Sequence, residues 1–194
     1  MIEIEHLTKK YKNIVAVNDL SLKIKKGEVF GFIGPNGAGK TTTIRILAGL
    51  LRPTSGKATI GGYDVTKDTT QVKSLVGYMP DSFGVYDQMR VWEYLDFFGA
   101  AYRLKKDRRR EAIDMVLNLT GSEYMRDYYI GTLSRGMRQK VGLAKTLIHN
   151  PQVIILDEPA SGLDPRARIE LRDIIKKLRS QGKTILISSH ILAE

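Results

Sequence analysis

The 194-residue chain contains no cysteine, which excludes a disulfide framework and a thiolate metal site and is consistent with a reducing cytosol. Its longest apolar runs are about five residues, far below the roughly 18 that a membrane-spanning helix needs. The first residues, Met1–Glu5, lack the pattern of a secretory signal peptide. We therefore expect a soluble chain that reaches a membrane only through partner proteins.

Acidic residues are fewer than basic ones: the chain has 21 aspartates and glutamates and 31 lysines and arginines, which gives a formal net charge of +10. Such a charge suits nucleic acid, an anionic membrane face or an acidic partner, and does not decide among them. The densest basic run, residues 103–110, has no aromatic residues interleaved for stacking on bases. We interpret this run as a solvated turn and helix start rather than a nucleic-acid site.

One glycine-rich stretch organises the rest of the chain. Residues 34–41, GPNGAGKT, match the pattern G-x-x-x-x-G-K-[ST]. The apolar run Val29–Ile33 precedes it as a buried strand, and apolar residues at helical spacing follow it over Thr42–Leu50. A glycine-rich loop between a strand and a helix is the arrangement that binds nucleotide phosphates. We therefore expect this loop to bind a nucleoside triphosphate. The alternative is a glycine-rich turn that binds nothing, and the flanking elements argue against it.

Each residue type of this loop has a chemical task. Gly34, Gly37 and Gly39 let the backbone turn its N–H groups inward, where the amides of the helix N-terminus add positive potential. Lys40 supplies a full positive charge at the β- and γ-phosphates. Thr41 offers a hydroxyl to the Mg²⁺ that bridges those phosphates.

Periodicity divides the remaining chain into strands and helices. The expected strands are residues 1–10, 20–24, 29–33, 58–62, 74–79, 153–156 and 184–187, and the expected helices are 42–50, most of 91–148, and 165–180. The strands at 153–156 and 184–187 show no polar alternation, so we expect helices to cover both of their faces. Tyr11 is expected in a loop, where it would stack on a base or pack on its neighbours.

Two acidic residues follow one of the buried strands. Asp157 and Glu158 end the run 153–156, and in an open parallel sheet the carboxyl ends of the strands point into the crevice where ligands bind. Asp157 is placed to hold Mg²⁺ through water, and Glu158 to polarise the water that attacks a γ-phosphate. An isolated Asp-Glu pair after a strand would favour a helix-capping turn. With the loop at 34–41 in the same chain, the pair instead favours a role at the nucleotide phosphates. His190 is either a satisfied loop residue or a γ-phosphate contact.

Further motifs stand in a definite order around these residues. Residues 133–137 (LSRGM) lie about twenty residues before Asp157, residues 161–164 (SGLD) follow it, and residues 188–190 (SSH) come last. Together with the loop at 34–41 and the helical stretch between, this ordered set resembles the ATP-binding subunit of an ABC transporter over essentially the whole chain.

The resemblance implies a head-to-tail dimer that sandwiches two ATP molecules, each held by the loop of one subunit and the LS-x-G signature of the other. It implies that the chain's own ATP is bound by Tyr11, Gly34, Pro35, Asn36, Gly37, Ala38, Gly39, Lys40, Thr41 and Thr42. It implies that the partner's ATP is faced by the signature residues Ser134, Arg135, Gly136 and Met137, at a helix N-terminus suited to an anion. By the same resemblance Asp164 links the two sites and His190 senses the γ-phosphate.

Two positions depart from the family pattern. Asp81 stands where the family carries glutamine; it keeps a side-chain oxygen for Mg²⁺ or water, but it is shorter, negatively charged and lacks the amide donor. Arg135 and Met137 replace a glycine and a glutamine of the signature, which makes its backbone less permissive. This signature variant resembles subunits paired with export-type permeases. The implied catalytic residues are Glu158, His190, Lys40 and Asp81, and the implied Mg²⁺ ligands are Thr41, Asp81 and Asp157.

The expected architecture is an α/β fold with a P-loop NTPase (RecA-like) core, an N-terminal antiparallel β subdomain and a helical insertion. Residues 1–80 and 149–194 would form the core and the β subdomain, and residues 81–148 the helical subdomain that carries the signature. The resemblance implies further strands and helices after His190. We therefore expect residues 1–194 to be a single ABC ATP-binding domain shortened at its C-terminal end.

The expected function is ATP hydrolysis that powers an ABC transporter, in the export direction, with ATP and Mg²⁺ as cofactors. The expected partners are a second ATP-binding subunit and a membrane-spanning permease, with no direct nucleic acid, and the expected location is peripheral on the cytoplasmic face of the cell membrane. A soluble nucleotide-switched clamp of DNA repair or translation is the alternative, which the single nucleotide domain without a coiled-coil insertion argues against. A small-molecule kinase would leave the signature and Glu158 without a task.

Overall fold

The computed structural model describes residues 1–82, 84 and 86–190. Within these residues the strands are β1 Ile2–Tyr11, β2 Ile14–Ile24, β3 Val29–Ile33, β4 Ser55–Ile60, β5 Tyr63–Asp64, β6 Val76–Met79, β7 Val153–Asp157 and β8 Thr184–Ser189. The α-helices are α1 Lys40–Leu47, α2 Thr69–Leu75, α3 Val91–Ala101, α4 Lys106–Thr120, α5 Arg135–Leu147 and α6 Pro165–Ser180. The predicted segment 149–194 extends beyond the described residues, and 83 and 85 of the predicted segment 81–148 also lie outside them.

The first sheet is antiparallel, with the strand order β2-β1-β4-β5. Ile2 of β1 pairs with Ile24 of β2 on one side and with Ile60 of β4 on the other. These isoleucines are fully buried, whereas Glu3, which alternates with them, forms an exposed ion pair with Lys23. The period-two pattern therefore buries one face of the sheet, as an antiparallel subdomain requires.

The second sheet is parallel, with the order β3-β8-β7-β6. Its strand β7 is buried along its whole length. Val153 and Ile155 point into one hydrophobic cluster, and Ile154 and Leu156 into another. Both faces of β7 are therefore covered, as the absence of polar alternation predicted.

The neighbouring strand β8 is buried at every residue except Ile187, where the predicted coverage is incomplete. Ile187 of β8 and Ile33 of β3 line an open apolar groove of about 550 Å³ beside α6. Ile33 is 47% exposed. A continuous apolar run thus predicted a buried strand but not which side chains lie beneath a helix.

The helical stretch predicted between 91 and 148 forms α3, α4 and α5, whose buried faces include Leu95, Val116 and Val141. The basic run forms a turn and the start of α4, as predicted, and Arg109 within it bonds Asp96 at 2.6 Å. In the described ranges no helix combines the length and apolar character needed to cross a bilayer.

The start of α1 and its end both differ from the predicted helix at 42–50. The helix begins at Lys40, directly after Gly39. It ends at Leu47, and Gly49 follows in the left-handed region with φ of 69°, which is the usual way for a glycine to terminate a helix.

Several strand boundaries also differ from the predicted ones; β4, for example, begins at Ser55 and not at residue 58. Strand β2 begins at Ile14, because the chain turns immediately after β1 and Tyr11 pairs with Ile14. The strand expected at 74–79 is shorter, since Leu75 is the last residue of α2 and only Val76–Met79 pairs with β7. The short helix α2 was missed, and its single buried residue offers almost no helical periodicity.

Candidate active site

The carboxyl ends of β3, β7 and β8 meet at one edge of the parallel sheet. Register pairs Asp157 of β7 with Ser188 of β8, and Ser188 with Phe32 of β3. The glycine loop that follows β3, the acidic pair that ends β7 and the histidine that follows β8 are therefore brought side by side.

The glycine loop turns sharply from β3 into α1. Gly39 is the N-cap residue of α1, with φ of 82°. A Cβ atom on Gly39 would lie 2.3 Å from the carbonyl oxygen of Ala16 on β2, so only glycine fits there. The first N–H groups of a helix have no intrahelical partner, and Gly39, Lys40, Thr41 and Thr42 at the start of α1 line the cavity beside the loop.

Lys40 anchors its ammonium inside the loop. The residue is 7% exposed, and Nζ donates to the carbonyl oxygens of Gly34 at 2.6 Å and of Pro35 at 3.0 Å. Nζ also lies 3.5 Å from Oε1 of Glu158. The positive charge predicted for the phosphates is thus held at the crevice, opposite the candidate base.

Asp157 is 1% exposed, and one of its carboxylate oxygens accepts two hydrogen bonds. Oδ1 accepts from the Ser188 hydroxyl at 2.6 Å and from the Thr41 hydroxyl at 3.3 Å. A carboxylate and a hydroxyl are oxygen donors of the type that Mg²⁺ prefers. The described residues contain no group of three or more histidine, cysteine or acidic side chains that could hold a metal, so an ion here would need phosphate and water oxygens as well.

Glu158 adopts an uncommon backbone conformation, with φ of 50°. Its N–H donates to Ser188 Oγ at 2.9 Å, while its side chain, 13% exposed, turns into the crevice. There Oε2 lies 2.6 Å from Nδ1 of His190 and also accepts from the His190 backbone N–H at 3.3 Å. A non-glycine residue with positive φ is often found at a functional site.

Ser188 is a site residue that the sequence reasoning missed. It was noted only as a neighbour of His190, yet its hydroxyl joins the Asp157 carboxylate to the Glu158 amide. The available signal was a serine at the carboxyl end of an apolar strand. That signal becomes specific only once β8 is known to lie next to β7.

These groups border a cavity of about 380 Å³. Its lining consists of Ala16, Asn36, Gly37, Ala38, Gly39, Lys40, Thr41, Thr42, Asp81 and Glu158. Asp81, which follows β6, therefore contributes a second carboxylate to the same cavity as Glu158. Burial raises the pKa of Tyr78 on β6, and the negative charges of Asp157 and Asp81 raise it further.

Tyr11 is not a loop residue, which corrects the prediction. It is the last residue of β1, because the turn to β2 is too short to include it. Its ring is 44% exposed, and the Lys9 ammonium lies 5.1 Å from the ring centroid. Tyr11 does not line the cavity around the glycine loop, and a role in stacking on adenine stays a prediction.

The signature residues lie at the start of α5, away from the lining of that cavity. Ser134 is the N-cap residue, and its Oγ accepts from the Met137 N–H at 3.3 Å. Asp164 is the N-cap residue of α6 and accepts from the Ala167 N–H at 2.9 Å. The structure therefore brings together the glycine loop, Asp81, Asp157, Glu158 and His190, and leaves the signature and Asp164 outside.

Solved structures similar to this chain include ATP-binding subunits of ABC transporters. A dimeric post-hydrolysis state of the cassette MJ0796, bound to ADP and Pi, has a TM-score of 0.88 and 26% sequence identity, covering 100% of this chain and 89% of that one. The cbiO1 protein from Clostridium perfringens, part of the ABC transporter complex cbiONQ, has a TM-score of 0.86 and 28% identity, over 98% of this chain and 78% of that one. These similarities support the α/β P-loop fold predicted from the sequence.

Relatives found by sequence similarity are also ATP-binding proteins of transporters. The ABC transporter ATP-binding protein NatA of Bacillus subtilis is 43% identical over 189 residues, covering 95% of this chain and 76% of its own length. The bacitracin transport ATP-binding protein BcrA of Bacillus licheniformis is 39% identical over 195 residues, covering 100% of this chain and 63% of its own length. An uncharacterized ABC transporter ATP-binding protein of Synechocystis is 40% identical over 185 residues, or 94% of this chain, but this chain spans only 52% of that relative's length.

The ABC transporter family model matches residues 17–161, a range that includes the glycine loop, the signature and the Asp157-Glu158 pair. The match therefore covers every cavity-lining residue except Ala16, and also the separate motif at the start of α5. With relatives and solved structures of the same kind, it shows that this chain belongs to the ABC transporter family and is similar to its ATP-binding proteins.

Proposed function

We propose that the chain is the ATP-hydrolysing subunit of an ABC transporter, working as an exporter. The observation that carries this proposal is the convergence of Lys40, Thr41, Asp157, Glu158 and His190 on one crevice. A cation, a hydroxyl, a buried carboxylate and a second, more accessible carboxylate are the groups that phosphoryl transfer to water requires.

The triphosphate would bind across the glycine loop. Backbone amides at the N-terminus of α1 would meet the phosphate oxygens, and Lys40 would add a full charge at the β- and γ-phosphates. In the structure Lys40 Nζ is hydrogen-bonded to the Gly34 and Pro35 carbonyls. Those bonds keep the ammonium directed into the crevice until phosphate oxygens compete for it.

Thr41 and Asp157 fit a magnesium ion. Their oxygens already face each other at 3.3 Å, and both types are ligands that Mg²⁺ accepts. When bound, Mg²⁺ would neutralise part of the charge on the β- and γ-phosphates. We propose Asp81 as a further contributor, directly or through water, because it lines the same cavity.

Glu158 would act as the general base. Its carboxylate would accept a proton from the water whose oxygen attacks the γ-phosphorus, while the bond from that phosphorus to the bridging oxygen breaks and ADP leaves. His190 holds Oε2 of Glu158 at 2.6 Å, which restricts the carboxylate to one orientation. This restriction supports Glu158 as the base and His190 as the residue that senses the γ-phosphate.

The partner of this subunit would be a second ATP-binding subunit, arranged head to tail. The separation of the signature from the chain's own cavity supports this arrangement, because Ser134 and the start of α5 are then available to ATP held by another copy. Closure and opening of the dimer would move a membrane-spanning permease docked on the helical subdomain. The protein would thus lie on the cytoplasmic face of the membrane through the permease, with no direct contact to nucleic acid.

Export is the favoured direction because several relatives are named for resistance to an antibiotic or for transport of one. The linearmycin resistance ATP-binding protein LnrL of Bacillus subtilis is 35% identical over 194 residues, and BcrA is a bacitracin transport protein. A soluble clamp of DNA repair or translation is not favoured, because the named relatives are transport ATP-binding proteins.

Two substitutions test the proposal. Glu158→Gln keeps the shape of the side chain but removes the base, so we expect ATP binding to persist and turnover to fall at least about a hundredfold. Lys40→Ala removes the phosphate cation, so we expect ATP binding itself to be lost. Calorimetry measures the affinities, and phosphate release measures turnover. Turnover of Glu158→Gln within about threefold of wild type, or normal ATP affinity of Lys40→Ala, would contradict the assignment.

A further inference from the structure

We propose that Arg135, at the first position of α5, is a positioning residue for Glu158 of its own subunit. Arg135 would hold Glu158 in place by linking α5 to residues 158–164 of the same chain, called the 158–164 segment below. This inference rests on the proposed function, since it needs Glu158 as the base and the start of α5 beside the partner's ATP. It assigns a task to the arginine that replaces a signature glycine.

The guanidinium of Arg135 lies directly on the 158–164 segment. Nη2 donates to the carbonyl oxygen of Ser161 at 2.9 Å. The planar group also covers Gly162, because a Cβ atom there would lie 2.4 Å from Arg135 Cζ and 2.5 Å from Nη1. Gly162 has φ of 67°, so a side chain at this position would meet both backbone strain and the guanidinium.

A second side chain of α5 contacts the 158–164 segment, and a third contacts the helix α6 that follows it. Gln139 Nε2 donates to the Pro159 carbonyl oxygen at 2.7 Å, and Lys140 forms an ion pair with Glu170 on α6 at 2.6 Å. Residues 135 and 139 are four apart, so they lie on one face of the helix. That face of α5 therefore holds the 158–164 segment at two points, and the contact made by Arg135 lies within the signature itself.

The segment passes this constraint to Glu158 through a short path. Ser161, whose carbonyl accepts from Arg135, donates its N–H to the carbonyl oxygen of Glu158 at 3.1 Å. On the other side the Glu158 N–H is held by Ser188. Both backbone groups of Glu158 are thus restrained, which a residue at φ of 50° requires if its carboxylate is to keep one direction.

A glycine at position 135 would provide no such bridge, because it has no side-chain donor. In this chain, by contrast, the start of α5 and the catalytic base are linked within one subunit. In a head-to-tail dimer the start of α5 belongs to one composite site and Glu158 to the other. Loss of the bridge should therefore slow hydrolysis of the ATP held by the same subunit. A direct effect of Arg135 on nucleotide would instead change hydrolysis of the ATP held by the partner.

Two tagged heterodimers with the same substitutions in different arrangements test this distinction. In the first, one subunit carries Arg135→Met and the other carries Glu158→Gln, so the only working base lies in the subunit without the bridge. In the second, one subunit carries both substitutions and the other is wild type, so the working base lies in the subunit with the bridge. Methionine keeps helix propensity and stem length but has no donor.

We expect the first heterodimer to hydrolyse ATP at least about fivefold more slowly than the second at saturating ATP, because misplacement of a catalytic group by a fraction of an ångström is costly. Arg135→Lys, which retains one donor but not the planar fork, should recover part of the rate in the first arrangement. The same two arrangements with Arg135→Ala, which also lacks a side-chain donor and favours the helix, decide the question if the methionine variant does not fold. Arg166→Gln, which removes an exposed charge on α6, is the matched control and should not separate the two arrangements.

Equal rates in the two heterodimers would overturn the proposal, and a slower second heterodimer would show instead that Arg135 acts on the partner's nucleotide. A reference dimer of wild type with Glu158→Gln separates this failure from that of the proposed function. If the reference dimer does not hydrolyse ATP, the proposed function fails and the inference with it. If it hydrolyses ATP and the two arrangements are equal, only the inference fails.

Discussion

At the scale of single residues, Asp81 distinguishes this cavity electrostatically from one with glutamine at the same position. Its carboxylate lines the cavity together with that of Glu158, and its charge contributes to the raised pKa of Tyr78, after burial and Asp157. The carboxylate of Asp81 therefore opposes the binding of a polyanion such as ATP, in part against the attraction of Lys40, unless a cation accompanies the nucleotide. We infer that nucleotide binding depends more strongly on Mg²⁺ here than it would with an amide.

Asp81→Asn tests this dependence. Removing one negative charge from the cavity should strengthen the binding of Mg²⁺-free ATP by about three- to tenfold, and change the binding of the Mg²⁺ complex less. Calorimetry in EDTA and in excess Mg²⁺ measures the two dissociation constants. Asp127→Asn, which removes an exposed carboxylate outside the cavity lining, is the control. An unchanged ratio of the two constants in Asp81→Asn would mean that position 81 does not act through its charge.

The candidate residues differ in how far the sequence alone could reveal them. Lys40 and Thr41 were predictable because their loop is contiguous and its chemistry requires residues at fixed spacing. Asp157 and Glu158 were predictable only together with the loop at 34–41, because acidic residues after an apolar strand would by themselves indicate a helix-capping turn. Ser188 was not, because its role depends on the pairing of β7 with β8, about thirty residues away.

At the scale of elements, a histidine joins the helical region to the parallel sheet. His149 follows α5, and its ring stacks on that of Tyr102, after α3, at a centroid distance of 3.7 Å and an interplanar angle of 6°. Its Nε2 lies 3.1 Å from the carbonyl oxygen of Val76 on β6. Its Nδ1 is buried without a hydrogen-bond partner among the described residues. The ring is therefore suited to packing in its neutral form.

Burial lowers the pKa of His149 from 6.5 to about 4, despite the opposing effect of the Val76 carbonyl; Lys183 lowers it further. Between pH 6.5 and pH 4 the unfolded chain therefore binds a proton that the folded chain does not. The contribution to stability is complete above pH 6.5, falls as the pH decreases through this window, and changes no further below about pH 4.

His149→Phe tests this contribution at the element scale. Phenylalanine keeps a ring against Tyr102 but does not titrate. Between pH 7 and pH 4.5 we expect wild type to lose about 2 kcal/mol more unfolding free energy than the variant, allowing for partial solvent access. Urea denaturation at both pH values measures the difference, and the comparison at pH 7 isolates the cost of the lost hydrogen bond. Parallel losses in the two proteins would rule out His149 as the source.

At the scale of the whole molecule, the signature and the glycine loop lie on different parts of one chain. Ser134 caps α5, whereas Lys40 begins α1, and Ser134 does not line the cavity around the loop. If ATP needs both, two chains must supply them. A symmetric dimer then has two identical composite sites, each with one loop and one signature.

A heterodimer of Lys40→Ala and Ser134→Ala subunits tests this composition. Both substitutions fall in one composite site, so the other site keeps an intact loop and an intact signature. We expect measurable ATP turnover, up to roughly half that of wild type because one of two symmetric sites remains, with very little in either variant homodimer. Phosphate release from tag-purified heterodimers measures it. Turnover no higher than in the homodimers would argue against sites shared between subunits.

The sequence by itself determined the elements whose cause is local: the glycine loop between β3 and α1, the buried run of β7 with its terminal acids, and the amphipathic helices of the 91–148 region. These depend on residue type and spacing over a few turns or strand positions. Only the tertiary structure decided which distant groups meet, such as Ser188 with Asp157, Arg135 with Ser161 and His149 with Tyr102. The physical reason is that strand order, register and helix packing arise from contacts between segments far apart in the chain, which no local periodicity records.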